Sequence, residues 1–218
     1  MSKSETESSR AIGTRVKNFS AAVAALQRGD VIVYPTETLY GLGADALDAA
    51  AVEKIFQLKG RDSKNPIPIL VADRQMLDRL ATEVPPLAEK LIACFWPGPL
   101  TIVLPAQKKI PQPLVNLTGG VGVRISSEPI AAELVNALGR PLTATSANPS
   151  GKAPARTVGE AKDYFAGQIE FFIDGKELTS KSGSTVVEII GGALRIIREG
   201  EIGKSALQRI IGKGKILL

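Results

Sequence analysis

The sequence predicts an α/β domain built on a twisted, mixed β-sheet flanked by helices. Three observations carry that expectation. Short apolar runs of strand length alternate with amphipathic runs of helix length along most of the chain. Two late apolar runs flank Gly191-Gly192, the signature of a tight hairpin, so not every strand pairs in parallel. Polar, glycine-containing loops follow several of the strands, where ligands of open α/β sheets gather.

Taken in order, Ser20 to Arg28 reads as a helix ended at Gly29, and Val31 to Tyr34 as a buried strand. Thr36 to Gly43 reads as a glycine-punctuated loop. Asp48 is placed to cap a helix running through Leu58, whose apolar face holds Val52, Ile55 and Phe56. Pro68 to Val71 is a strand. Gln75 to Leu80 and Pro86 to Phe95 are helices, the second broken by Pro97-Gly98-Pro99. Leu100 to Leu104 is a strand, Pro105 to Gly120 a long loop, and Val121 to Ile125 a strand carrying Arg124. Pro129 to Leu138 is a helix capped by Gly139. Leu142 to Thr145 is one strand running into Ser146-Ala147-Asn148-Pro149-Ser150-Gly151. Thr157 and Glu160 form a capping box that opens a helix to about Phe165. Ile169 to Ile173, Thr185 to Ile190 and Ala193 to Ile197 are strands, and Ser205 to Ile211 is a closing helix. Residues 1–14 read as a disordered tail and 15–218 as a single domain.

Composition excludes several kinds of chemistry. The 218 residues contain no His and one Cys, so a Ser-His-Asp triad, a Cys-His pair, a His metal site and an internal disulfide are all ruled out. Cys94 lies in an apolar run and reads as a small buried hydrophobe. A net charge of +5 leans towards anionic ligands such as nucleotides, phosphates or RNA. The N-terminus has no apolar core of a secretory signal, and no run of about 18 apolar residues exists. The expected location is cytoplasmic, with no membrane contact.

If the loops after the strands share one face, Lys59, Arg61, Arg124 and Arg198 line a cleft suited to a triphosphate and a carboxylate. Each residue also has a plainer reading. Lys59-Gly60 is a good helix end, Arg124 could pair with a surface carboxylate, and Asn148-Pro149-Ser150-Gly151 is good turn chemistry. Gly41-x-Gly43-x-x-Ala46 matches a relaxed dinucleotide fingerprint. It stands too far beyond the strand ending at Tyr34, and Asp73 comes too late to serve as the acidic partner.

The chain also carries, in order, Tyr34-Pro35-Thr36-Glu37-Thr38-Leu39-Tyr40-Gly41-Leu42-Gly43, Lys59-Gly60-Arg61, Trp96-Pro97-Gly98-Pro99-Leu100-Thr101, Val121-Gly122-Val123-Arg124, Ser146-Ala147-Asn148, Ser184-Thr185-Val186-Val187 and Arg198-Glu199-Gly200. Over about residues 15 to 212 this resembles the YrdC family, the L-threonylcarbamoyladenylate synthases, whose signature is Lys-x-Arg followed far downstream by Ser-x-Asn. The resemblance implies a sheet around a basic concave cleft. It implies a nucleotidyltransferase that makes L-threonylcarbamoyl-AMP and pyrophosphate from L-threonine, bicarbonate and ATP, with Mg²⁺ accompanying ATP and no organic cofactor. The product feeds modification of adenosine 37 in tRNA, so the implied partners are downstream tRNA-modification proteins, with RNA contact.

By position, the resemblance makes Lys59, Arg61, Ser146 and Asn148 the catalytic set. ATP contacts fall on Lys59, Arg61, Asn65, Gly120, Ser146 and Arg198, and threonine contacts on Thr36, Arg124, Ala144 and Ser184. Arg124 is expected to take the threonine carboxylate, and Asn148 to hold the Ser146 loop. The chain departs from the pattern in three places. A His common after the second strand is missing from Ile69 to Asp73, Pro154 stands where a Ser often contacts ATP, and Asp62 stands where Pro is frequent. The chain is expected to be the short, single-domain form. Two alternatives are a double-stranded RNA or tRNA-binding module without synthase activity, and a carbamoyl-transfer relative whose further domains are not in this sequence.

Overall fold

The computed structural model describes residues 19–61, 66–180, 182–212 and 214–217. The expected tail at 1–14 lies outside them. Helix α1 covers 19–27, ahead of β1 (Ile32–Tyr34), β2 (Gly41–Gly43) and α2 (Ala49–Lys59). Then come β3 (Ile69–Leu70), α3 (Arg74–Asp78), α4 (Pro86–Phe95), β4 (Leu100–Pro105) and β5 (Gly120–Arg124). The chain continues through α5 (Pro129–Leu138), β6 (Leu142–Thr143), β7 (Thr145–Ser146), α6 (Val158–Phe165) and β8 (Phe171–Phe172). It closes with β9 (Thr185–Ile190), β10 (Ala193–Arg198), α7 (Lys204–Ile211) and β11 (Ile216–Leu217).

Local chemistry explains the helix ends. The Asp48 carboxylate accepts from the amides of Ala50 and Ala51 at the start of α2, where the helix leaves donors unsatisfied. Gly60 ends α2 at φ 58°, a left-handed conformation that glycine reaches without a Cβ clash. At α6 the Thr157 hydroxyl and Glu160 carboxylate form the full capping box.

Among the described residues the strands form two mixed sheets. The smaller has the order β7-β2-β1-β8 and the larger β11-β10-β9-β4-β5-β3-β6. One continuous core joins them, drawn mostly from aliphatic residues such as Ile32, Leu42, Ile69, Ile102 and Val123.

Four local expectations are corrected. The predicted loop before Gly43 contains strand β2, paired antiparallel with β1 through Tyr34↔Gly41 and Ile32↔Gly43. Its glycines are required by the Tyr34 ring: a Cβ on Gly43 would meet Tyr34 Cε1 at 2.8 Å, and one on Gly41 at 3.2 Å. The predicted single strand from Leu142 to Thr145 divides at Ala144. Its first half pairs with β3 in the larger sheet, and its second half with β2 in the smaller. Strand β11, not foreseen, adds in parallel to the outer edge of β10. Cys94 is exposed, because α4 turns Ala88 and Leu91 inward and the thiol lies off that face.

The division at Ala144 is held from both sides. The Thr143 hydroxyl donates to the Leu42 carbonyl at 3.2 Å and accepts from the Ala44 amide at 2.9 Å. The Tyr34 hydroxyl donates to the Thr143 carbonyl at 2.8 Å, and the Ala144 amide to the Pro68 carbonyl at 2.8 Å.

Gly43→Ala drives a methyl group into the Tyr34 ring and Leu142. The expected loss is about 1–3 kcal/mol of folding stability, read from urea unfolding, as for overpacking elsewhere in protein cores. A change within about 0.5 kcal/mol, the range of neutral surface substitutions, would show that the ring yields freely.

Candidate active site

A cavity of about 990 Å³ lies between the two sheets, at the upper end of the range for small-molecule sites. Its wall is drawn from the 36–41 turn, β4, β5, the Ala144–Ser146 crossing and the β9–β10 ribbon.

Four arginines line it, and three of them, Arg61, Arg124 and Arg198, stand at the ends of different elements, while Arg195 lies within β10. Arg61 follows the α2 cap, its amide donating to the Phe56 carbonyl at 3.1 Å in the turn that closes the helix. Arg124 ends β5. Arg198 ends β10, beyond a register shift in which Ile196 pairs with Val187 but Arg198 pairs with Val186. Ile197 is therefore an extra residue, and this bulge lets the consecutive side chains Ile197 and Arg198 both line the cavity, which a regular pleat forbids. Burial lowers the pKa of Arg61 and Arg198 from the usual guanidinium value, and for Arg198 the charges of Arg124 and Arg61 add to that effect. Cations that repel each other inside a partly closed cavity favour an anionic ligand.

Arg198 is fixed by Ser184. Its Nε and Nη2 donate to the Ser184 carbonyl at 3.2 and 2.7 Å, and Nη2 also reaches Ser184 Oγ at 3.2 Å. Ser184 Oγ in turn shares a 2.9 Å hydrogen bond with Thr101 Oγ1. Arg124 is only 4% exposed and is ion-paired through Nη1 with Glu37. The other Glu37 oxygen accepts from the Ser126 hydroxyl.

Thr36 uses its hydroxyl within its own turn. It donates to the Leu39 carbonyl at 2.7 Å and accepts from the Thr38 and Leu39 amides. Gly120 lines the cavity, but its amide donates to Asn116 Oδ1 at 2.7 Å and its carbonyl accepts from the Asn116 amide at 2.8 Å. Of the expected site residues, Thr36, Arg61, Gly120, Arg124, Ala144, Ser146, Ser184 and Arg198 come together on the cavity wall.

Lys59 and Asn148 stand behind that wall. Lys59 is 3% exposed, and its ammonium donates to the Ser146 carbonyl at 2.5 Å and the Asn148 carbonyl at 2.8 Å. Burial, and then the charge of Arg61, lowers its pKa to about 8. The Asn148 amide nitrogen donates to the carbonyls of Pro149 and Lys152, so this side chain braces the same turn. These two of the four expected catalytic residues thus shape the loop that presents Ser146. Asn65 and Asp62 lie outside the described residues. Pro154 is on the cavity wall, as are Pro66, Ile67 and Pro68 on the approach to β3.

Sequence reasoning passed over Glu37 and Ser126, although Glu37 stands inside a quoted block. It also passed over a network at the cavity mouth. There Glu188 accepts from Thr118 Oγ1 at 2.6 Å and pairs with Arg195 directly across the β9–β10 ladder. The opposed charges on facing strands were a usable signal. Among the described residues no group of three or more His, Cys, Asp or Glu side chains could hold a metal ion, and no helix is long and apolar enough to cross a membrane.

Fold and site together define an α/β protein with a large, arginine-lined cavity between two sheets. Comparison with known proteins gives the family. The model Sua5_yciO_yrdC, described as "Telomere recombination", matches residues 24–200, and the chain belongs to that family. A threonylcarbamoyl-AMP synthase of Pyrococcus abyssi is 38% identical over 204 residues, covering 93% of this chain and 60% of the relative. A putative threonylcarbamoyl-AMP synthase of Mycobacterium tuberculosis is 31% identical over 198 residues, covering 91% of each. Among solved structures, P. abyssi Sua5 complexed with L-threonine superposes with a TM-score of 0.87 at 38% identity, over 91% of this chain and 58% of that one. E. coli YciO gives 0.78 at 28% identity, over 87% and 92%. The chain thus spans about three fifths of the Pyrococcus relative and nearly all of the mycobacterial one.

Lys59→Met removes two donors from buried carbonyls and is expected to cost about 1–3 kcal/mol. The deficit also depends on pH. A lysine whose pKa falls to about 8 on folding, from 10.5, stabilises the folded state as pH rises between those values, because the unfolded chain then binds the extra proton. The neutral amine keeps two N–H donors for its two carbonyls. Wild-type stability should therefore gain on the variant between about pH 8 and about pH 10.5 in urea titrations, and a pH-independent difference would mean that Lys59 keeps its charge.

Proposed function

We propose that this chain is a nucleotidyltransferase that makes L-threonylcarbamoyl-AMP from L-threonine, bicarbonate and ATP. The observation that carries the reading is the convergence of Arg61, Arg124 and Arg198 on one cavity, in a chain without His. The names of the relatives, and the threonine complex of the Pyrococcus protein, support it.

The chemistry asks for little acid–base work from side chains. The neutral threonine amine attacks the bicarbonate carbon, a C–N bond forms, and water leaves. A carbamate oxygen then attacks the α-phosphorus, and the bond to the β-phosphate breaks with its electron pair going to pyrophosphate. Both steps bring anions together, so positioning and charge neutralisation dominate the barrier. We assign Arg61, Arg198 and Ser146 to the phosphates, with the Gly120 turn beside them, and Asn65 to ATP on the family resemblance alone. We assign Arg124 to the threonine carboxylate, a good match for a guanidinium fork, with Thr36, Ala144 and Ser184 around the amino acid. Lys59 and Asn148 keep Ser146 in place. Mg²⁺ enters on ATP as part of the substrate and offsets phosphate charge. The product serves modification of adenosine 37 in tRNA by further proteins.

The test is pyrophosphate release that requires ATP, L-threonine and bicarbonate together; release that ignores threonine would defeat the assignment. Arg61→Ala should lower kcat/KM by about 10²–10³-fold, the cost of one lost electrostatic donor. Its melting temperature, read in parallel, separates a lost phosphate contact from a damaged fold.

A further inference from the structure

We propose that Glu37 is the positioning residue that sets how the site reads a carboxylate, acting through Arg124. This rests on the assignment of Arg124 to the threonine carboxylate. Glu37 touches no substrate in that assignment. Its two oxygens are taken by Arg124 Nη1 and by the Ser126 hydroxyl. The Glu37 side chain is 13% exposed, so the pair is largely shielded from solvent.

Three features converge on this role. The turn carrying Glu37 is closed by Thr36, which bonds Thr38 and Leu39 on the far side of the glutamate, so the carboxylate is held by its backbone as well as by its partners. Ser126 follows β5 two residues beyond Arg124, so the acid clamps that strand end at two points. Arg124 lines the cavity, while its Nε–H is buried behind that surface without a hydrogen-bond partner. A buried donor without a partner is uncommon and costly. With Nη1 tied to Glu37, the guanidinium cannot swing towards the phosphate side, where it would add to the repulsion at Arg198. Glu37 also offsets one of three crowded positive charges. Recognition of the amino acid then depends on the direction of the Arg124 fork more than on its charge.

The experiment compares L-threonine with threoninol, in which the carboxylate is replaced by an alcohol, by isothermal titration of the whole chain, with ATP titrated in parallel. Wild type should prefer threonine. Glu37→Ala should lose at least about tenfold of that preference, the worth of a fixed hydrogen bond to a charged group, with threoninol and ATP affinities unchanged. Glu37→Gln, which fills the same space and can still accept from Arg124, should fall between the two, and it serves alone if the alanine variant does not fold. Ser126→Ala should move the preference in the same direction. An unchanged threonine-to-threoninol ratio in the Glu37 variants, or parallel loss of threonine, threoninol and ATP binding, would overturn the role of Glu37. A wild-type chain that binds both compounds equally would instead overturn the carboxylate assignment of Arg124.

Discussion

The two sheets of this fold meet because one segment belongs to both. Leu142–Thr143 pairs with β3, and Thr145–Ser146 with β2, so Ala144 is where the chain passes from one ladder to the other. Such a crossing leaves backbone groups that neither ladder fully serves, and buried groups of that kind need partners. The Thr143 hydroxyl, the Tyr34 hydroxyl and the Pro68 carbonyl supply them. The space between the diverging sheets is the cavity. Ala144 and Ser146 stand on its wall because the crossing puts them there. The Lys59 ammonium then fixes the outgoing turn from behind, so the position of Ser146 depends on the end of α2.

Much of this was legible in the sequence where the cause is local. Asp48, Gly60, Gly139, Thr157 and Glu160 announce helix ends by their own hydrogen-bonding chemistry, and each acts as read. Gly191 and Gly192 announce their hairpin because both adopt positive φ, 58° and 79°. What was not legible depends on partners far along the chain. Gly41 and Gly43 look like loop residues until the Tyr34 ring is known to lie against them. Nothing between Leu142 and Thr145 marks a change of sheet. Lys59 reads as a cation at a helix end, and its two carbonyl partners stand 87 and 89 residues later, beyond the reach of local reasoning. For the site, the arginines were readable as cations at element ends. The acid that orients one of them was not, since a glutamate in a polar turn reads as solvated.

The charges of the cavity form two tiers. Deep in the wall, Arg124 is balanced by Glu37, while Arg61 and Arg198 keep depressed affinities for their protons through burial. At the mouth, Glu188 gathers Arg195 and Thr118, and so ties the turn carrying Leu117 to the β9–β10 ribbon. Leu117 is 95% exposed and Ile197 about half exposed, both on the cavity rim. A cationic interior with an apolar rim suits a ligand whose charged groups enter first.

The bulge at Ile197 gives the hairpin turn a role out of proportion to its distance from the cavity. Arg195, Ile197 and Arg198 face the cavity only at one count of residues from Gly191-Gly192, and the bulge then resets that count once. The ribbon works as a ruler with its zero at the turn. A one-residue slip of the pairing set there would carry every later side chain to the opposite face. Arg198 would leave Ser184, and Arg195 would leave Glu188. Register at this turn is thus under tighter constraint than its exposed position suggests.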